Sequence, residues 1–292
     1  AALIIMLATG TTAIAARSSD QLTITFLNVG PAGQPAQGEA ILIRTPDGKT
    51  ALIDGGLDTT SLASELDTRL PFWQHSLDMV ILTSPRQDEL VGLEDIVSRY
   101  QVGEAIDAGM LHPNAGYALY RRTISERNIP YMQLRQGATI ALGTQVAMQV
   151  FWPTSPLHNS SDEEQDNGLI LRLLAPGLHM LLLGTTALSK YALAGLLATI
   201  GHTYLTADVA QIIGEAGKAF PVELQTVLQV IHPSLVIISP ATLSAKLRKA
   251  GASSMLTSLQ TINGTWQIAQ TAQLDTIQIS SDGHGWTMRS DV

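Results

Sequence analysis

The sequence predicts an α/β protein built from two β-sheets with helices on their outer faces. Apolar, β-branched runs such as 22–29 and 234–239 are typical of strands. Between such runs lie segments whose apolar residues recur at helical spacing. These elements form two blocks, and in each block strands precede helices. Because a sheet buries its apolar face against a second layer, two such blocks favour two packed sheets flanked by helices.

The first block begins with a strand at 22–29 and a predicted hairpin. Two apolar strands, 39–45 and 50–56, surround a Pro-Asp-Gly turn. The apolar run 77–83 predicts a buried strand, and the helix predicted after it, 88–100, carries its apolar residues on one face. Further helices are predicted at 62–70 and 117–127, and further strands at 102–108, 131–134, 138–141 and 145–152.

The second block begins after an acidic stretch, 158–168, which we predict to be a solvated and mobile loop. The runs 169–176 and 178–184 predict a second hairpin. Helices are predicted at 188–200, 222–231 and 253–262, and strands at 207–214, 234–239, 265–270, 275–283 and 286–290.

Composition excludes some classes of function. The chain has 292 residues, of which 45% are hydrophobic and 14% charged, so it can bury a sizeable core. Its formal net charge of −8 disfavours non-specific binding to a phosphate backbone. The absence of cysteine excludes disulfides, thiolate metal ligands and a cysteine nucleophile.

The N-terminal segment 1–16 carries no charge. As a helix it would span about 24 Å at 1.5 Å per residue, which is short of a bilayer core. We interpret it as the end of a membrane anchor, with an uncut signal segment as the alternative, because 13–15 resembles a signal-peptidase site. Residues 17–21 are then a linker and 22–292 the exported domain. The shortage of basic residues after the anchor favours the extracytoplasmic side.

Reactive side chains follow the predicted strand 77–83. Ser84, Arg86, Asp88 and Glu89 come within six residues of one another, at a strand end where α/β enzymes often present such groups. Ser84 has no histidine on a neighbouring strand-end motif and no G-x-S-x-G around it, so a catalytic triad is not indicated. The seven histidines show neither H-x-H nor H-x₃-H spacing, which gives no support to a histidine metal site.

Seven segments, in order along the chain, resemble the metallo-β-lactamase fold. More narrowly, they resemble the exported domain of ComEC-type competence proteins. The matching segments are FLNVG with QGEAILI, TPDGKTALIDGG, DMVILTSPRQDELVGLEDI, NGLILRLLAPGLHMLLLGTTA, IIGEAGK, PSLVIIS and TWQIAQTAQLDTIQISSDGHGW. This resemblance implies a four-layer αββα sandwich of metallo-β-lactamase type, preceded by the N-terminal membrane-anchor segment.

In that family, histidines and carboxylates hold one or two zinc ions, and a metal-bound water attacks a phosphoester or a carbonyl group. When the family's metal ligands are carried over residue by residue, this sequence has serine, arginine, glutamate or threonine at most of their positions and keeps one aspartate. These former metal positions are Ser84, Arg86, Asp88, Glu89, Thr185 and Glu215.

Arg86 places a permanent cation where a metal ion would sit. We therefore predict an ion pair between Arg86 and Asp88, Glu89 or Glu215, with no metal, no other cofactor and no catalytic residue. A site for Ca²⁺ or Mg²⁺ formed by Asp88, Glu89 and Glu215 is the alternative at these positions.

The resulting functional prediction is a protein that is not an enzyme. We expect a catalytically inactive, exported and membrane-anchored subunit of a larger membrane complex. Its expected partners are the membrane, through residues 1–16, and other protein subunits, with no nucleic acid. Two alternatives stay open, namely a metal-dependent hydrolase or nuclease with a carboxylate-only site, and a DNA-contacting domain of an uptake system.

Overall fold

A computed structural model describes residues 21–30, 38–201, 204–214, 219–240 and 266–291. The predicted anchor, most of the predicted linker, the predicted helix 253–262 and Glu215 lie outside the described residues. The strands are β1 (Leu22–Phe26), β2 (Ile41–Arg44), β3 (Thr50–Ile53), β4 (Ser76–Leu77), β5 (Met79–Ile81), β6 (Gln101–Val102), β7 (Ala105–Asp107), β8 (Tyr131–Gln133), β9 (Thr139–Leu142), β10 (Val146–Trp152), β11 (Ile170–Ala175), β12 (Leu178–Leu182), β13 (Val209–Gly214), β14 (Leu235–Pro240), β15 (Gln267–Gln270), β16 (Ile277–Ser281) and β17 (Trp286–Ser290).

The helices are α1 (Thr59–Arg69), α2 (Gln87–Arg99), α3 (Ala115–Glu126), α4 (Glu163–Asp166), α5 (Lys190–Thr199), α6 (Val222–Ile231) and α7 (Thr271–Leu274), with a 3₁₀ turn at Gly184–Leu188. Side-chain caps define several helix starts. Asp58 accepts a hydrogen bond from the Ser61 amide at the start of α1, and Ser189 accepts one from the Ala192 amide at the start of α5. Such caps pair amides that have no partner within the helix.

Two large sheets form the centre of the molecule. The first has eight strands in the order β17-β16-β1-β2-β3-β5-β7-β8, and the second has seven in the order β15-β14-β13-β12-β11-β10-β9. In the first sheet β3, β5, β7 and β8 run parallel, and in the second β12, β13, β14 and β15 do so. The predicted hairpins 39–56 and 169–184 are confirmed as β2-β3 and β11-β12.

Three apolar clusters give the order of the layers. One cluster joins the inner faces of the two sheets and includes Ile24 and Leu171. A second packs α1, α2 and α3 on the first sheet, and a third packs α5 and α6 on the second. The described residues therefore form helix, sheet, sheet and helix layers, as predicted.

No helix among the described residues is long and apolar enough to cross a membrane. The prediction that the protein is located in the cell membrane, with its domain on the extracytoplasmic side, is contradicted by this finding. That prediction depended on residues 1–16, which lie outside the described ranges.

The acidic stretch 158–168 differs from the prediction of a solvated, mobile loop. It contains the short helix α4, and the side chains of Glu163 and Asp166 are buried. Asp166 accepts hydrogen bonds from Ser160 and Ser189, at 2.7 and 2.6 Å. Composition showed the charge of this stretch but not these donors, one of which, Ser189, lies outside the stretch.

Candidate functional site

Four of the predicted site residues lie where the parallel strands of the first sheet end. Ser84 follows β5, Arg86 occupies the N-cap position of α2, and Asp88 and Glu89 lie in the first turn of that helix. The partial positive charge of a helix N-terminus favours carboxylates in this turn. Thr185 lies in the 3₁₀ turn that follows β12, and its buried hydroxyl has no hydrogen-bond partner among the described residues.

Arg86 and Asp88 form the ion pair that the sequence predicted. Nε and Nη2 of Arg86 lie 3.0 Å from Oδ1 and Oδ2 of Asp88, which is a two-point contact between guanidinium and carboxylate. Such contacts fix orientation more firmly than a single ionic contact does. The Asp88 side chain is 6% exposed and that of Arg86 20%, so the pair lies at the edge of the interior.

Two further carboxyl groups belong to the site and were not predicted as site residues. Asp54 follows β3, and both of its oxygens accept hydrogen bonds from Thr83, at 2.7 Å from the amide and 2.6 Å from the hydroxyl. Glu39 precedes β2 and accepts a hydrogen bond from Ser239 at 2.9 Å and another from Gln211. The sequence signal was an acidic residue directly flanking an apolar strand, in LIDGG and in GEAILI.

Glu89 completes a buried carboxyl cluster, which we define as Glu39, Asp54, Asp88 and Glu89. Its Oε2 lies 3.3 Å from the hydroxyl of Thr83, whose single proton is already directed at Asp54, 2.6 Å away. Its Oε1 is buried and has no hydrogen-bond partner among the described residues. Glu89 is thus the member of the cluster with the fewest donors around it.

Close contact between two backbone segments holds Glu89 beside Asp54. A Cβ atom on Gly55 would lie 2.0 Å from the amide nitrogen of Leu93, and one on Gly92 would lie 1.9 Å from the carbonyl oxygen of Gly55. Only glycine permits this approach between the loop after β3 and helix α2. The Gly55 amide also donates a 2.6 Å hydrogen bond to the carbonyl of Glu89.

Burial and mutual repulsion raise the pKa values of three members of the cluster. Desolvation is the largest cause in each case, because a charged carboxylate loses its hydration in the interior. Burial and, to a smaller extent, the charge of Asp88 raise the pKa of Asp54 to about 8, against the lowering effect of the two hydrogen bonds from Thr83. The pKa values of Glu39 and Glu89 are raised well above their ordinary range, by burial and then by the charge of Asp54.

The described residues do not fit the zinc site that the resemblance implies. The oxygens of Asp54 accept hydrogen bonds from Thr83, those of Asp88 are held by Arg86, and one oxygen of Glu39 accepts two donors. Within the described ranges, no three histidine, aspartate or glutamate side chains are arranged to hold a metal ion. The position of Glu215 lies outside those ranges. We therefore derive no chemical step through a metal.

A cavity of about 350 Å³ opens beside Arg86, between residues 110–114 and 160–165. The acidic stretch is tied to the site here, since the Ser84 hydroxyl donates to the Glu164 carbonyl at 2.8 Å. Asn114 donates to the Glu164 carboxylate, also at 2.8 Å. The cavity is therefore a place where a small molecule can lie next to the Arg86–Asp88 pair.

Comparison with solved structures shows the metallo-β-lactamase fold. CmlA, a diiron β-hydroxylase from Streptomyces venezuelae, matches with a TM-score of 0.52 and 12% identity over 89% of this chain and 54% of its own. Zn²⁺-bound PqqB from Methylobacterium extorquens matches with a TM-score of 0.54 and 11% identity over 85% and 97%. A long-form RNase Z from yeast matches with a TM-score of 0.50 and 11% identity over 88% and 41%.

The chain thus spans about half the length of CmlA. No protein-family model and no curated protein matches it. At 11–12% identity the three structures show a shared fold, and nothing in them supports the narrower relationship to ComEC-type proteins.

The prediction that the protein is not an enzyme is contradicted by these comparisons. The solved structures with this fold are named as a diiron β-hydroxylase, a Zn²⁺-bound protein and an RNase. The prediction of inactivity depended on missing histidines, and it overlooked Glu39 and Asp54, which the structure places in the same cluster as Asp88 and Glu89.

Proposed function

We propose that the protein is a hydrolase whose carboxyl cluster transfers protons. The observation that supports this most directly is the raised pKa of Glu39, Asp54 and Glu89 at the strand ends. A carboxylic acid that keeps its proton near neutral pH meets the requirement for a general acid. Strongly shifted pKa values are found preferentially at functional sites. A purely structural core gains no stability from grouping carboxyl groups that repel one another.

Glu89 is the group that we assign as general acid, because Oε1 has no hydrogen-bond partner among the described residues. Because Glu89 is fully buried, its proton passes in the proposed reaction by way of the adjacent Asp88 to the leaving-group oxygen of a phosphoester or a carboxylic ester bound in the cavity beside Arg86. Water adds to phosphorus or carbon, and the proton that water releases returns to a carboxylate of the cluster. Arg86, which lines the cavity, holds Asp88 in a fixed orientation during these steps.

The narrower relationship to the exported domain of ComEC-type competence proteins is also a proposal. It is supported by the order of the matching segments from FLNVG to TIQISSDG. The domain limits 22–292, the anchor at 1–16 and partner subunits in a membrane complex stay predictions. A DNA-contacting role is disfavoured by the net charge of −8.

The test is hydrolysis of two chromogenic probes, bis(p-nitrophenyl) phosphate and p-nitrophenyl acetate, by the wild-type protein and by Glu89→Gln. We expect wild-type turnover of at least one probe that declines at high pH, because the general acid, whose pKa is raised by burial, then loses its proton. Glu89→Gln should lower kcat by about 100-fold or more. Asp95→Asn, on the solvent side of the same helix, is the matched control and should keep full activity.

Two results would contradict the proposal. One is turnover that is equal in the wild type and in Glu89→Gln, and the other is no turnover of either probe at any pH between 5 and 9. Elemental analysis of the purified protein adds a separate criterion. A stoichiometric metal in the wild type that is absent from Glu89→Gln would show that this site is a metal centre, and it would contradict the proton-transfer proposal.

A further inference from the structure

The cavity beside Arg86 has an acidic wall. Asp162, Glu163 and Glu164 line it side by side, and Arg86 is the one permanent cation among its lining residues. The cavity holds about 350 Å³, which is at the lower end of the range for ligand pockets. The charge that it presents to a ligand depends on how many of these groups already have a partner within the protein.

The positive charge of Arg86 is matched by Asp88. Its Nε and Nη2 lie 3.0 Å from the two carboxylate oxygens of Asp88. Two parallel N–H donors of this kind are also what arginine uses to bind a phosphate. A phosphate in the cavity would therefore compete with Asp88 for these donors, and Arg86 offers it little net attraction.

Glu163 also has its partners within the protein. Oε2 of its buried carboxylate lies 2.9 Å from Nδ1 of His112 and 3.2 Å from the backbone nitrogen of the same residue. The amide of Leu111 donates to Oε1. Both oxygens of Glu163 thus accept hydrogen bonds from the opposite side of the cavity, and this carboxylate is not left for a ligand.

The other two carboxylates of the wall lack a cationic partner. Asp162 is exposed, and its side chain has no hydrogen-bond or ion-pair partner among the described residues. Glu164 accepts a hydrogen bond from Asn114 at Oε1, and within the described ranges its Oε2 accepts none. The Ser84 hydroxyl fixes the position of Glu164 by donating to its carbonyl at 2.8 Å. These two carboxylates make the cavity attractive to a cation and repulsive to an anion.

We propose that the substrate is a small carboxylic ester with a cationic ammonium group, which binds in this cavity with the ammonium group against Asp162 and Glu164. This inference rests on the proposed hydrolase function and selects the carboxylic ester from the two ester classes considered there. A phosphodiester is disfavoured, because its negative charge meets the acidic wall while the guanidinium of Arg86 is held by Asp88.

The first experiment measures binding to the full chain by calorimetry, with choline and with its uncharged isostere 3,3-dimethyl-1-butanol. Choline should bind about tenfold more tightly than the isostere at low salt, and added salt should reduce the difference. Asp162→Asn should weaken choline binding about fivefold and leave binding of the isostere unchanged. Asp67→Asn is the matched control, because Asp67 is an exposed residue of α1 with no hydrogen-bond partner among the described residues. This variant should bind choline like the wild type.

The second experiment follows the acid released from acetylcholine and from its uncharged isostere 3,3-dimethylbutyl acetate. The wild type should show a kcat/KM about tenfold higher for acetylcholine, and Asp162→Asn should remove most of this preference by raising KM. The cationic substrate is overturned by equal binding of choline and its isostere, by unchanged choline affinity in Asp162→Asn, or by equal kcat/KM for the two esters. Preferential binding of choline without hydrolysis of either ester supports the cation-binding cavity and contradicts the hydrolase function instead.

Discussion

Two buried acidic sites lie one strand apart in the first sheet, and they differ in their donors. Asp107, at the end of β7, accepts hydrogen bonds from the Gly109 amide at 2.7 Å and from the hydroxyls of Tyr131 and Tyr117 at 2.5 and 3.1 Å. The guanidinium of Arg121 lies 3.8 Å from it. The carboxyl cluster at the ends of β3 and β5 has Thr83 for Asp54 and no partner for Glu89 Oε1.

The difference in donors separates the pKa values of the two sites. Burial is the largest cause at both sites and raises the pKa of Asp107 to about 6 and that of Asp54 to about 8. At Asp107 the Gly109 amide, two arginines and the Tyr117 hydroxyl offset part of the desolvation. At Asp54 only the amide and hydroxyl of Thr83 do so, and the neighbouring Asp88 carboxylate adds to the desolvation. Depth of burial alone therefore does not determine which group stays protonated at neutral pH.

The largest effect that we expect is from Asp107→Asn. At pH 8 the native carboxylate accepts the Gly109 amide and both tyrosine hydroxyls, and an amide NH₂ cannot replace one of its oxygens as an acceptor. Arg121 also loses its counter-charge. We expect the free energy of unfolding to fall by about 3 kcal/mol at pH 8, measured by urea denaturation.

The loss in Asp107→Asn should be larger at pH 5 than at pH 8, because folding raises the pKa of Asp107 to about 6 and the wild type therefore gains stability as pH falls, whereas the amide does not ionise. Asp95→Asn, which alters an exposed ion pair with Arg99, should change stability by less than about 0.5 kcal/mol. An equal loss at both pH values would show that Asp107 does not act through its charge.

The corresponding acid-to-amide substitution at Glu89 should raise the free energy of unfolding, whereas Asp107→Asn should lower it. Folding raises the pKa of Glu89, so the folded state favours the protonated form, and stability is lost as pH rises from about 4.5. Glu89→Gln keeps the size of the side chain and removes this ionisation. We expect it to raise the free energy of unfolding by roughly 2 kcal/mol at pH 9 and to change it by less than about 1 kcal/mol at pH 5.

Urea denaturation of the wild type and Glu89→Gln at pH 5, 7 and 9 gives the measurement. The wild type should be less stable at pH 9 than at pH 5, and the variant should show a shallower decline. A variant that is less stable than the wild type at pH 9 would refute the assignment of Glu89 as a destabilised acid. A variant that is stable but inactive would separate the catalytic role from the structural one.

The sequence predicted the strands well because their patterns are local. Apolar runs bounded by Pro-Asp-Gly or by glycine identify β2 and β3, and the run before Thr-Ser-Pro identifies β5, without knowledge of their neighbours. It also grouped Ser84, Arg86, Asp88 and Glu89, which are close in the chain. The two-residue separation of Arg86 and Asp88 at a helix start is short enough for their ion pair to be anticipated.

What the sequence missed depends on pairing between distant segments. Asp54 joins Thr83 because β3 and β5 pair in parallel with Ile53 opposite Ile81, and no local pattern fixes that register. Glu163 was expected in solvent, but it accepts hydrogen bonds from His112, which lies about fifty positions earlier in the chain. The donors that decide the state of a buried acid come from other elements, so composition does not reveal them.

The smallest effect that we expect concerns the ion pair next to the cluster. Arg86→Gln removes the two-point contact with Asp88, and because Arg86 is 20% exposed, solvent replaces part of that contact. We expect a loss of about 1 kcal/mol at pH 7.

Arg86 also lowers the pKa of Glu89, so the removal of Arg86 should raise that pKa further. The stability of Arg86→Gln should then decline more steeply between pH 7 and 9 than that of the wild type. The control is Arg86→Lys, which keeps the charge without the two-point geometry and should retain the wild-type slope. An unchanged slope in Arg86→Gln would mean that the cluster titrates independently of the arginine, and the difference between the two acidic sites would then come from the donors around Asp107 alone.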